Sequence, residues 1–220
     1  MYKHITTNRE AIGLPVGKVV CVGRNYHDHI KEMASSVTDA PLLFMKPTSA
    51  MCHFDTEIAI PQEKGECHNE IEVALLIKDK VDRHTEIDMP SQVWGVGLGL
   101  DLTLRDIQAA AKQQGHPWEA AKSFDNSCPL SGFVPFADIR LPLRFSLRIN
   151  NQEKQSGSTE HMIFGLRELL SAIASSFTLL PGDVVLTGTP SGVGPLFTGD
   201  KLQATMDNYL NATASVTACR

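Results

Sequence analysis

The stretch NEIEVALLI, residues 69–77, decides how the chain is read. Its last seven residues are a mostly apolar run of strand length. Strand side chains alternate faces, so Glu70, Glu72, Ala74 and Leu76 share one side and Ile71, Val73, Leu75 and Ile77 line the other. Both sides are largely apolar, which predicts a strand covered on both faces. Two carboxylates at the start of such a strand need a reason, because an unpaired buried charge is expensive. Taken alone, the acids also fit a strand end that emerges into solvent.

A divalent cation between the two acids would resolve the conflict. Facing carboxylates repel, and burial raises the pKa of each. Oxygen-only ligands favour a hard ion, Mg²⁺ or Mn²⁺, over zinc. Asp101 supplies a possible third ligand, since it also closes an apolar run, VWGVGLGLDL, residues 93–102. Three glycines in that run permit close backbone approach. Zinc has a separate candidate set, Cys52-His53 and Cys67-His68, but adjacent residues on a strand point apart and lack the usual ligand spacing.

The helix expected over about 104–114 adds polar groups. Thr103 and Asp106 fit a capping box with Asp in place of Glu, and Gly115 fits the stop. Arg105, Gln108 and Lys112 fall on one face. Such a stripe is commonly solvated, although Arg105 and Gln108 lie near the helix N-terminus, where anions are favoured. HDHIKEM, residues 27–33, reads as a short helix with His29 and Glu32 three apart, so a carboxylate can orient an imidazole. Lys46 and Lys122 each stand beside apolar residues. TGTPSGVG lacks the phosphate-loop signature.

Elsewhere, strands are expected over 17–23, 41–47 and 56–61, the last at a sheet edge, and a loop over 35–41. LRFSLRINNQEKQSG alternates across Asn150-Asn151 as a hairpin. Residues 163–176 carry a helical pattern. Short, irregularly spaced strands with two or three helices imply an α+β fold. The 220 residues and net charge of −5 bound the function further. No basic run suggests nucleic acid, and no window reaches membrane-span length. The polar N-terminus is unlike a signal peptide, and five cysteines form no disulfide framework, so a reducing cytoplasm is the expected compartment.

VVCVGRNYHDHIKEM, PLLFMKP, HNEIEVALLI, GLDLTLRDIQ, PWEAAKSFDNSCPLSGFVP and PGDVVLTGTPSGVGP, taken in order over about 17–203, resemble the fumarylacetoacetate hydrolase family. The likeness is to short, single-domain members such as acylpyruvate hydrolases and oxaloacetate decarboxylases. It implies a mixed β-sandwich roll with a few peripheral helices, usually a homodimer. It divides the chain into an N-terminal extension, 1–16, and one catalytic domain, 17–220. It implies Mg²⁺ or Mn²⁺ held by Glu70, Glu72 and Asp101. It also implies a catalytic dyad of His29 and Glu32 on a mobile lid over 27–40, a catalytic Lys122, and substrate contacts from Arg105, Gln108 and Thr189. Many relatives carry His-His where this chain has His68-Asn69, a departure beside the ligands rather than at them.

The implied substrate is a small 2-oxo acid. The first expectation is cleavage of acylpyruvates to pyruvate and a carboxylic acid, overlapping with oxaloacetate decarboxylation. A tautomerase, or an isomerase/decarboxylase of aromatic catabolism, stands as the alternative. A non-catalytic metabolite-binding protein is a third class.

Overall fold

The strand Ile71–Ile77 lies at the middle of the largest sheet and is buried along its whole length. The computed structural model of the chain describes residues 2–33, 36, 38–55 and 57–219. Alternation places the two faces of the strand in two different cores. Ile71, Val73, Leu75 and Ile77 enter a large cluster with Val96, Leu98, Phe145 and Leu170. Ala74 and Leu76 enter a second cluster with Val19, Cys21, Val184 and Leu186.

Ile71–Ile77 pairs antiparallel with Val93–Leu100, so that Glu72, Ala74 and Leu76 stand opposite Gly99, Gly97 and Gly95. These glycines have a steric reason. A Cβ on Gly95 would lie 2.3 Å from the Val134 carbonyl oxygen, and one on Gly99 2.7 Å from Leu186 Cδ2. Side-chain-free positions let the neighbouring backbone and core close over this face.

The rest of the large sheet places Val184–Leu186, Val19–Gly23 and Leu42–Lys46 on one side, and Cys128–Leu130 and Met51–His53 on the other. Val19–Gly23 and Val184–Leu186 run parallel, as do Met51–His53 and Cys128–Leu130, so the sheet is mixed. A second sheet is ordered Gln152–Ser158, Arg144–Ile149, Lys201–Met206, Leu210–Ala218 and Glu57–Ile60. Glu57–Ile60 is its edge, as expected, although Thr56 lies outside the described residues. A small third sheet joins Gly194–Pro195, Cys67–Asn69 and Thr103–Leu104. The fold is α+β.

The hairpin expected at Asn150-Asn151 is present, with φ of 52° and 65° at the two residues. Positive φ at both central positions matches strand twist, and Asn tolerates it better than most residues. Helices occupy His27–Glu32, Arg105–Gln114 and Leu166–Ser176, with single turns at Met89–Gln92 and Glu119–Lys122. Gly115 ends its helix in the left-handed conformation.

The capping box does not form. Thr103 is held in strand pairing with His68, and its hydroxyl donates to the Asp101 carbonyl. Asp106 instead accepts from the Glu66 backbone N–H. Tertiary partners outcompeted the local cap.

The first residues lie against the sheet, with Tyr2 and Ile12 buried in the second core and Thr6 bridging Phe133. The expected loop at 35–41 and lid at 27–40 fall partly outside the described residues, at 34, 35 and 37. Among the described residues, no helix is long and apolar enough to cross a membrane.

Candidate functional site

Pairing register brings the three acids together. Ile71 stands opposite Leu100, and the Asp101 N–H continues the ladder to the Glu70 carbonyl at 2.9 Å. Glu72 is one pleat further on. Carboxylate oxygens of Glu70, Glu72 and Asp101 lie within 4.8 Å of one another, the one such grouping of His, Cys, Asp or Glu among the described residues. All three side chains are buried, with residue exposures of 4%, 1% and 2%. The acids therefore do not sit on a strand end that emerges into solvent.

Three basic side chains face these acids. Lys122, at the end of the Glu119–Lys122 turn, donates to Glu70 Oε2 at 2.8 Å and to Asp101 Oδ2 at 2.6 Å. Arg105 opens its helix with Nη2 2.6 Å from Glu70 Oε1 and Nη1 2.8 Å from Gln108 Oε1. Lys46 is fully buried, with Nζ 2.9 Å from Asp101 Oδ1. Its three N–H groups go instead to the Leu102 carbonyl, the Lys122 carbonyl and Ser127 Oγ, so the contact with Asp101 is electrostatic. Asp101 Oδ1 is left buried with no hydrogen bond among the described residues.

The electrostatics divide the two glutamates. Burial pushes the Glu72 carboxyl well above the usual range, and the charges of Asp101 and Glu70 push it further, against one N–H bond from Gly188. Burial acts on Glu70 in the same sense but is overcome by Lys122 and Arg105, which hold it low. Lys122 is desolvated, yet Asp101 and Glu70 raise it above the ordinary lysine range. Of the three acids, Glu72 alone makes no ion pair among the described residues. The orphaned Asp101 oxygen and the unpaired Glu72 carboxyl fit a divalent cation bound by oxygen donors.

The other expected site residues gather around the same cavity. It is lined by Glu70, Glu72, Asp101, Arg105, Gln108, Lys112, Lys122, Thr189 and His29, with Arg24, Leu42, Phe44 and Trp118 among its walls. His29 is buried, and its Nδ1 lies 3.3 Å from Glu32 Oε2. The Glu32 carboxylate also accepts from the Gly192 N–H at 3.0 Å, which ties the short helix to the loop after Thr189. The stripe Arg105, Gln108, Lys112 turns toward the cavity rather than only to solvent.

Several participants are not legible in the sequence. Gln155, on the exposed-looking strand QEKQSGS, is buried and makes four hydrogen bonds. Its Oε1 accepts from Asn69 Nδ2 and the Ile71 N–H, and its Nε2 donates to Thr189 Oγ1 and the Pro190 carbonyl. Asn69 is thus a link in a polar clamp beside the acids. Gly188, at φ 97°, aims its N–H at Glu72 Oε2 from 2.6 Å. The signal available was the glycine inside TGTP, which permits a left-handed turn.

Buried carboxylates that could hold a metal ion face a lysine, an arginine and a histidine–glutamate pair across a cavity, on a mixed-sheet α+β fold. The sequence model of the Fumarylacetoacetate (FAA) hydrolase C-terminal family matches residues 18–219, and the chain belongs to that family. It is 47% identical over 212 residues to oxaloacetate tautomerase YcgM of Escherichia coli (strain K12), covering 95% of this chain and 97% of that protein. It is 40% identical over 195 residues to mouse mitochondrial oxaloacetate tautomerase FAHD1, covering 88% of each. The crystal structure of fumarylpyruvate hydrolase from Pseudomonas aeruginosa in complex with Mn²⁺ and pyruvate superposes with a TM-score of 0.90 at 31% identity, covering 98% of this chain and 95% of that one. That of 5-carboxymethyl-2-hydroxymuconate delta-isomerase from Mycobacterium smegmatis gives 0.81 at 29% identity, covering 94% and 81%.

Proposed function

We propose that the protein interconverts the enol and keto forms of oxaloacetate, with a Mg²⁺ or Mn²⁺ ion held by Glu70, Glu72 and Asp101. The observation that carries this reading is the convergence of three buried carboxylates, one with an oxygen lacking any hydrogen bond, onto a cavity walled by cations. The relatives named oxaloacetate tautomerase, matched over most of the chain, favour this reaction over the acylpyruvate cleavage expected first.

When bound, the cation supplies Lewis-acid polarisation of a 2-oxo carboxylate. The chain's own residues supply the rest. Arg105 and Lys122 place positive charge where negative charge develops on the C2 oxygen. Glu32 accepts from His29 Nδ1–H, which leaves Nε2 as the proton acceptor. That nitrogen removes a proton from C3, the C–H electron pair becomes the C2–C3 double bond, and the proton returns to the C2 oxygen. Enolisation runs forward and back through the same groups. Gln108 and Thr189 orient the acid, and the Gln155 clamp holds the Thr189 hydroxyl in place.

Acylpyruvate hydrolysis is a second reading, favoured by the similarity to fumarylpyruvate hydrolase. In it, His29 would deprotonate water instead of carbon. One experiment separates the two. Enol absorbance and pyruvate release are followed together on oxaloacetate, acetylpyruvate and fumarylpyruvate, with Mg²⁺ or Mn²⁺ added. Metal-dependent loss of oxaloacetate enol without stoichiometric pyruvate supports the tautomerase; pyruvate from the acylpyruvates with no effect on the enol overturns it. Glu70→Ala and Asp101→Ala should each abolish the metal-dependent rate. A homodimer, tested by light scattering, and a reducing cytoplasm, supported by five free thiols and tested by cell fractionation, complete the proposal.

A further inference from the structure

Four lysine and arginine side chains line the cavity, and they differ in what they hold. Arg105 and Lys122 are bound to Glu70 and Asp101. Arg24 and Lys112 line the same cavity and make no ion pair among the described residues. Nothing in the enolisation step uses them.

Both stand on fixed supports. Arg24 directly follows the strand Val19–Gly23, with φ 61°, a left-handed conformation that few arginines adopt. Its neighbour Asn25 is fully buried and clamps the turn, donating to the Phe164 and Thr187 carbonyls and accepting from the Phe164 N–H. The guanidinium makes one long contact, Nη1 to the Ser36 carbonyl at 3.4 Å, and so keeps most of its donors. Lys112 lies one helical turn beyond Gln108, with Nζ 5.2 Å from the centre of the Trp118 ring. Partial desolvation, then the like charges of Arg105, Arg24 and Lys122, hold its ammonium below the usual lysine range, which places the cations in one field.

We propose that Arg24 and Lys112 form a second anion subsite at the outer end of the cavity, which takes the distal carboxylate of a 2-oxo dicarboxylic acid. The placement rests on the functional reading above, in which the 2-oxo carboxylate end sits at the three acids. A substrate with one carboxylate at that end leaves the two outer cations without a counterion. A second carboxylate supplies one, and a planar guanidinium can hold it through two N–H groups. Acylpyruvates with an uncharged tail are discriminated against, whereas any 2-oxo acid bearing a second terminal carboxylate is accepted. Arg24 and Lys112 are specificity-determining rather than catalytic.

The test uses binding as well as turnover, in the full-length metal-loaded protein. The probes are 3,3-difluoro-oxaloacetate, which has no C3 hydrogen to lose, its 4-methyl ester, and oxalate, which has no distal group. Calorimetry is run on Arg24→Gln, Lys112→Gln, Lys112→Glu and a surface control, Lys78→Gln. Each neutralisation should weaken the diacid roughly tenfold, the worth of one charge-assisted hydrogen bond. Lys112→Glu should weaken it further, and the ester and oxalate should move less than about twofold. For oxaloacetate turnover the loss should fall in KM rather than kcat, and KM should rise with salt. Arg24→Lys, which keeps the charge, should recover part of the selectivity and guards against a folding defect in the glutamine variant. Equal losses for diacid and ester, or none for either, overturn the subsite. If the wild type does not tautomerise oxaloacetate yet binds diacid over ester through these residues, the functional reading falls and the subsite stands. Normal enolisation that does not depend on Arg24 or Lys112 overturns the subsite and leaves the functional reading in place.

Discussion

At the scale of single residues, the site depends on which buried charge has an ion-pair partner. Glu72 has none among the described residues, and burial and its acidic neighbours raise its pKa. A carboxyl whose folded pKa lies above its unfolded value favours the fold at low pH and costs stability as pH climbs from the unfolded carboxylate range toward the folded value. Glu72→Gln keeps an acceptor for the Gly188 N–H and removes that titration. In thermal melts of the metal-free protein it should match wild type near about pH 4. It should exceed wild type increasingly above that, and lose any Tm gain from Mg²⁺ or Mn²⁺. Lys46 makes the reverse case. Its ammonium is fully buried and stands against an Asp101 oxygen with no hydrogen bond. Lys46→Met leaves that carboxylate poorly compensated and should cost about 3–5 kcal/mol in urea unfolding. A variant as stable as wild type would mean that Asp101 is balanced by Lys122 alone.

At the scale of elements, the strand Ile71–Ile77 and its partner Val93–Leu100 carry two of the acids, Glu70 and Asp101, past the end of their pairing, and the Gly188–Thr189 turn closes over them. Gly188 is the vulnerable point. At φ 97° an added Cβ would lie 2.6 Å from Asn25 Cβ. Gly188→Ala should therefore lose about 2 kcal/mol or more. It should also weaken metal binding, because the N–H that orients Glu72 moves; calorimetry with Mn²⁺ reads this. The strand Ile71–Ile77 is legible from alternation alone, since its two faces enter two separate cores as the pattern implies. The hairpin at Asn150-Asn151 is legible from turn chemistry. The Thr103–Asp106 cap is not, because both side chains find partners across the fold, at the Asp101 carbonyl and the Glu66 N–H. Gln155 could not be found at all, as its strand reads as polar and only packing shows that one of its side chains points inward.

For the whole molecule, the proposed metal would link folding to function. An ion bound by the folded chain and not by the unfolded one stabilises by mass action, about 2.7 kcal/mol at a hundredfold excess over Kd. For a chain of 220 residues this corresponds to roughly 5–10 °C in Tm. Chelation should reverse the gain in wild type and have no effect on Asp101→Ala. A gain of the same size in that variant would place the ion elsewhere.

The amino-acid sequence by itself determined the acid-bearing strand, the α+β class, the identity of the three carboxylates and the arginine–glutamine–lysine stripe. The strand, the class and the stripe follow from local periodicity; the cost of burying charge made the three carboxylates candidates, and the resemblance to a known family implied that they act as one set. Tertiary structure alone decided whether those acids were solvated or buried, and which cations met them. It placed Lys46, Gly188 and Gln155 beside residues dozens of positions away. Among the described residues it gave Arg105 and Lys122 carboxylate partners and Arg24 and Lys112 none. Charge pairing acts through space, so the partner of a buried group is set by strand register and helix position rather than by its neighbours in the chain.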